Sequence, residues 1–121
     1  VIYTKTMTTT YTVTTQNVNG ANKYVIDGVV QPHLTLIEGN TYEFDWSAVS
    51  GHPLRFGTAP DGPGYNDGVT VNGTTSTIIV PVGSPTLYYY CLHHSGMGGQ
   101  LTTEAAGNAS GDPFVTPMFT L

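Results

Sequence analysis

No part of this 121-residue sequence carries a 3.6-residue apolar period long enough for a substantial helix. Apolar and polar residues instead alternate in short runs punctuated by Gly, Pro, Asn and Asp. In residues 41–46, Tyr42, Phe44 and Trp46 alternate with Thr41, Glu43 and Asp45. A two-residue period sends the three aromatic rings to one face of a half-buried strand. Asp27-Gly28 sits inside residues 23–30 as a two-residue hairpin signal. Asn72-Gly73 similarly divides strands expected over 69–71 and 77–80, and residues 17–22 read as a turn. Further strands are expected over 33–37, 54–56, 86–91 and 100–104. The fold class is all-β.

Composition points the same way. Only 9% of residues are charged, against about 25% in an average soluble domain. Thr, Gly, Asn and Tyr take the place of Lys and Glu, which favours strands and turns over helix. The length fits one domain with a real core.

The chemistry concentrates near the C-terminal end. Residues 87–91 form a strand-like run, and the next eight carry two histidines, a methionine and three glycines. Cys91, the only cysteine, is followed by His94 and Met97 at three-residue intervals, so one short loop can bring all three side chains to a point. Thiolate, imidazole and thioether are soft ligands that select copper over calcium or magnesium. His52, in a Gly-rich and Pro-rich loop over 47–68, is the best candidate for a fourth ligand. Two imidazoles and a thiolate with a weak axial thioether make up the blue-copper set. His93 is the second choice for the loop imidazole. The competing interpretation is a buried core cysteine beside unrelated histidines, since Leu87, Tyr89 and Cys91 share a strand face. Four ligand types in the right order argue for the metal.

These residues resemble the cupredoxins, which carry one ligand His on an early strand-loop and a Cys-x-x-His ligand loop ending in Met. The tight spacing of Cys91, His94 and Met97 looks most like the amicyanin loop. The wider stretch, with residues 26–29, 31–44, 51–56 and 88–91 in that order, is similar to cupredoxin-like domains of marine bacterial and cyanophage proteins. The resemblance covers roughly residues 11–104. It implies a Greek-key β-sandwich, one type 1 (mononuclear) copper held by His52, Cys91, His94 and Met97, and a partly exposed His94 as the electron exit.

Both ends lie outside the resemblance. In residues 1–15, positions 1, 3, 7, 11 and 13 are apolar or aromatic and nearly every even position is Thr. This reads as a long two-faced strand, of which residues 1–10 form an N-terminal arm to a domain over 11–104. Residues 105–112 have linker composition. Residues 113–121 form an apolar tail that should dock on its own subunit or another.

Other functions are disfavoured. A net charge of −5 with three basic residues gives no footprint for nucleic acid. No apolar run approaches a membrane span. Asp61, Asn66 and Asp67 lack EF-hand spacing and read as a solvated loop rather than a calcium site. His33 reads as structural, and Arg55 as a partner for a carboxylate such as Asp45. No nucleophile–base arrangement stands out, and a metal closed by four protein ligands leaves no open position for a substrate, so an enzyme is not expected. Asn72 and Asn108 open N-glycosylation acceptor tripeptides. With the many threonines, these lean toward an extracytoplasmic, glycosylated protein, secreted, periplasmic or at a cell or virion surface.

Two functions fit. One is a one-electron carrier or copper-binding domain with a redox partner protein. The other is a structural subunit of an extracellular filament or virion fibre. There the N-terminal arm would complete the sheet of a neighbouring identical subunit, by the strand-addition mode, and copper would be mainly structural.

Overall fold

The computed structural model describes residues 6–106. The expected linker beyond Ala106 and the apolar tail lie outside the described residues. Among the described residues, ten strands form two sheets. In chain order they are β1 (Thr8–Val18), β2 (Ala21–Ile26), β3 (Val29–Val30), β4 (Leu34–Ile37), β5 (Thr41–Asp45), β6 (Leu54–Gly57), β7 (Val69–Asn72), β8 (Thr75–Ile79), β9 (Leu87–Cys91) and β10 (Gly99–Glu104). A 3-10 turn spans Ser47–Val49. Among the described residues no helix is long and apolar enough to cross a membrane.

The larger sheet runs β3-β2-β1-β5-β8-β7 and the smaller β4-β10-β9-β6. Neighbours are antiparallel except for β1 with β5 and β10 with β4, which are parallel. The architecture is a mixed two-sheet β-sandwich. Turn chemistry places the hairpins where the sequence indicated. Asp27 (φ 49°) and Gly28 (φ 86°) join β2 to β3, and Asn19 (φ 53°) and Gly20 (φ 89°) join β1 to β2. Paired positive φ values define the type I′ turn that Asn-Gly and Asp-Gly favour. The turn expected over 17–22 is therefore tighter than its composition indicated, because β1 continues to Val18 and β2 resumes at Ala21.

Strand β1 changes partner along its length. Thr8–Thr12 run parallel to Thr41–Asp45 of the same chain, while Val13–Val18 pair with β2. Asp27 marks the switch, accepting the Thr12 N–H at its Oδ1 (2.8 Å) and donating its own N–H to the Thr12 carbonyl (3.0 Å).

The alternating residues meet between the sheets. Tyr42, Phe44 and Trp46 are buried as their period required, against Leu54, Phe56 and Tyr89 from the facing sheet. Ser76 is the one buried polar side chain among the described residues. It accepts from the Trp46 indole N–H (3.0 Å) and donates to the Leu54 carbonyl (2.6 Å), joining the sheets just behind the His52 loop. Arg55 does not meet Asp45. The two lie in different sheets, Arg55 donating to the Leu54 carbonyl and Asp45 accepting from the Ser47 N–H.

Candidate metal centre

The antiparallel β6–β9 pair builds the site. Its register sets Leu54 opposite Cys91 and Phe56 opposite Tyr89. One residue further, the Leu92 N–H donates to the Pro53 carbonyl at 2.9 Å, which carries the ladder to the residue beside His52. Strand β9 alternates as its period required, with Leu87, Tyr89 and Cys91 buried and Tyr88 and Tyr90 half-buried. The Cys91 thiol therefore points inward at the strand's end.

His52, Cys91 and His94 converge, their ligand atoms all within 4.8 Å of one another. Cys91 Sγ lies 3.8 Å from His52 Nδ1 and 3.6 Å from His94 Nδ1. The imidazole rings stand 4.7 Å apart between centroids, inclined at 47°. A metal–sulfur bond near 2.3 Å and metal–nitrogen bonds near 2.0 Å, opened to tetrahedral or trigonal angles, separate S from N by roughly 3.5–3.8 Å. The observed spacing is that of a metal cradle. Cys91 is 3% exposed, His52 half-buried and His94 exposed, so the site opens to solvent on the His94 side. His93 is exposed and outside this cluster. The loop imidazole is that of His94.

Met97 is 1% exposed, packed in the same core cluster as Cys91. The glycine after it has a steric reason. A Cβ on Gly98 would lie 1.7 Å from the Tyr89 carbonyl oxygen. Only glycine lets the chain double back on its own strand directly after Met97 and enter β10.

Burial, followed by the charges of His94 and His93, holds the His52 imidazole below its usual pKa. Taking a cation out of water, or setting it beside like charge, favours the neutral ring that a metal requires. The Tyr24 phenol is shifted up, first by burial and then by the charge of and a hydrogen bond with Cys91. It stays a neutral donor, and its hydroxyl is given to the His52 carbonyl at 2.6 Å.

Several residues at this site carry no signal in the sequence. Lys23 Nζ and Gln31 Nε2 both donate to the Gly96 carbonyl, at 2.8 and 3.0 Å. Asp61, expected in a solvated loop, anchors the ligand loop by accepting the Gly96 N–H at both carboxylate oxygens (3.0 and 3.2 Å). No motif links residues 35 to 73 positions apart. The other expected sites stand elsewhere. His33 bonds Thr102 on β10, a structural contact. Asn72 is exposed at the β7–β8 turn, and Asn108 lies outside the described residues.

No protein-family model and no curated protein matches this chain. Solved structures do. A rusticyanin variant matches with a TM-score of 0.53 at 17% identity, covering 84% of this chain and 80% of that one. Rusticyanin from Thiobacillus ferrooxidans matches with a TM-score of 0.51 at 17% identity, over 80% of this chain and 77% of that one. The McoA multicopper oxidase of the hyperthermophile Aquifex aeolicus gives a TM-score of 0.43 at 22% identity, over 83% of this chain but only 26% of the oxidase. Identities this low establish the fold alone. The chain has the cupredoxin fold, with a His-Cys-His cluster and a buried methionine at the place that fold's resemblance implied.

Proposed function

We propose that this protein is an extracytoplasmic type 1 copper protein that passes single electrons to and from a redox partner. The observation that carries the reading is the convergence of Cys91 Sγ with His52 Nδ1 and His94 Nδ1 at metal-ligand spacing. The donor set fits copper. Thiolate and thioether are soft, imidazole suits copper in either oxidation state, and a His-Cys-His site with a weak axial Met is the blue-copper arrangement. Bound there, copper would supply a one-electron couple between Cu(I) and Cu(II). The chain's own residues do the rest. Cys91 and Met97 keep the sulfur ligands out of water, and His94 brings the edge of the site to the surface, where a partner could approach within tunnelling reach. A strand ladder on one side and a pinned loop on the other hold the ligands still, so little rearrangement accompanies a change of charge. Four protein ligands leave no position for a substrate, which favours a carrier over an enzyme.

Assembly from identical subunits by strand exchange has less support. Thr8–Thr12 already complete a sheet within their own chain. An extracytoplasmic location is supported by the exposed acceptor Asn72.

Titration of the metal-free protein with Cu(II) tests the reading. One equivalent should produce an intense visible thiolate-to-copper band. Cys91→Ser should abolish that band with the far-UV circular dichroism unchanged. A band that survives the substitution, or none in the wild type, defeats the proposal.

A further inference from the structure

The two segments that carry ligands, the His52 loop and the loop after Cys91, are far apart in sequence. Both are held by one hairpin that contributes no ligand. Along the ligand loop, three successive carbonyls point at β2 and the residue following β3. The Gly96 carbonyl accepts from Lys23 Nζ and Gln31 Nε2, the Met97 carbonyl from the Tyr24 N–H (2.9 Å), and the Gly98 carbonyl from Gln31 Nε2 (2.9 Å). Gln31 is itself fixed, its N–H donating to the Tyr24 carbonyl at 2.8 Å. Tyr24 also reaches the other side of the site, its hydroxyl donating to the His52 carbonyl at 2.6 Å. It is fully buried, with its ring 6.3 Å from that of Tyr89. The backbone of one residue therefore holds Met97 while its side chain holds His52.

We infer that Tyr24 and Gln31 are positioning residues of the metal centre, Tyr24 fixing the His52 imidazole relative to the Met97 thioether. This rests on the copper reading above. Partners outside the ligand set orient the ligands and tune the metal, and their loss typically weakens metal binding about 10–100-fold. A buried tyrosine tied at both ends has little freedom, so it transmits the spacing of the two segments rather than yielding to it. The weak axial contact is the most sensitive to such spacing, because the axial ligand tunes the potential of these sites.

The test compares Tyr24→Phe with Tyr42→Phe. Tyr42 is another buried tyrosine, on β5, whose hydroxyl accepts the Ile37 N–H away from the site. In the metal-free protein, Tyr24→Phe should speed hydrogen exchange at the His52 amide, which bonds the Val49 carbonyl. In the copper-loaded protein it should weaken copper binding about 10–100-fold and shift both the charge-transfer band and the midpoint potential. Tyr42→Phe should move none of these. Wild-type exchange, affinity, band and potential in Tyr24→Phe would overturn the inference. If that variant does not fold, Gln31→Ala at its half-buried position decides, with the same shifts expected in affinity and potential and unchanged values overturning it. Absence of a charge-transfer band in the wild type would instead strike at the copper reading, leaving the clamp to be judged by the His52 amide alone.

Discussion

Leu54 sits directly opposite Cys91 in the antiparallel β6–β9 pair. That register decides where His52 falls. Two residues before Leu54, the imidazole arrives beside the thiol, and its Nδ1 stops 3.8 Å from Cys91 Sγ. A one-residue slip would turn Cys91 to the outer face and dissolve the site. The ligand set is thus a consequence of sheet register as much as of residue identity.

The adjacent histidines of the ligand loop should separate cleanly. His94 Nδ1 is 3.6 Å from Cys91 Sγ, whereas His93 lies outside the cluster. His94→Ala should lose the intense visible band of the copper-loaded protein, and His93→Ala should retain it. Absorption spectra of the two variants at one equivalent of copper make the check, and the reverse result would transfer the ligand role to His93.

Met97 fills core space and is also the expected axial ligand. Met97→Leu nearly conserves volume and should cost less than about 1.5 kcal/mol of stability. The visible band, which belongs to the thiolate, should persist while the midpoint potential shifts. Voltammetry beside a denaturant titration separates the two effects. An unmoved potential would reduce Met97 to packing.

Ser76→Ala tests the link between the sheets. It strips the buried Trp46 indole N–H of its partner, while the Leu54 carbonyl keeps the Arg55 guanidinium as a donor. A buried polar group left unsatisfied costs about 1–3 kcal/mol, so chemical denaturation should show a loss of at least that order. A near-neutral result would mean that water or a local shift supplies the missing bonds.

Acid should weaken the metal-free protein through His52. Its folded pKa is depressed by burial and by its histidine neighbours, so below about pH 6.5, the ordinary histidine value, the unfolded chain takes up a proton that the folded one resists. Stability therefore rises with pH across that window and is lost as pH falls toward the folded value. Denaturation midpoints of the metal-free protein from pH 7 down to 5 should fall, and less so in His52→Gln. Copper should steepen the dependence when present, since it competes with protons for the same nitrogen.

Much of this was legible in the chain because its carriers are local. Side-chain alternation in β5 and β9 named the buried rings and turned the Cys91 thiol inward. Asp27-Gly28 fixed a hairpin through backbone sterics that need no distant partner. Three-residue spacing from Cys91 through His94 to Met97 belongs to one loop, and the order of ligand types pointed to His52. The loop spacing preferred His94 to His93, and the folded loop sets His94 beside the Cys91 thiol. Tertiary structure alone revealed why Gly98 must lack a side chain, turned Asp61 from a solvated residue into a loop anchor, and parted Arg55 from Asp45. Above all it brought Lys23, Tyr24 and Gln31 to the ligand loop. Those contacts depend on how one sheet packs across the other, and local periodicity carries no record of that.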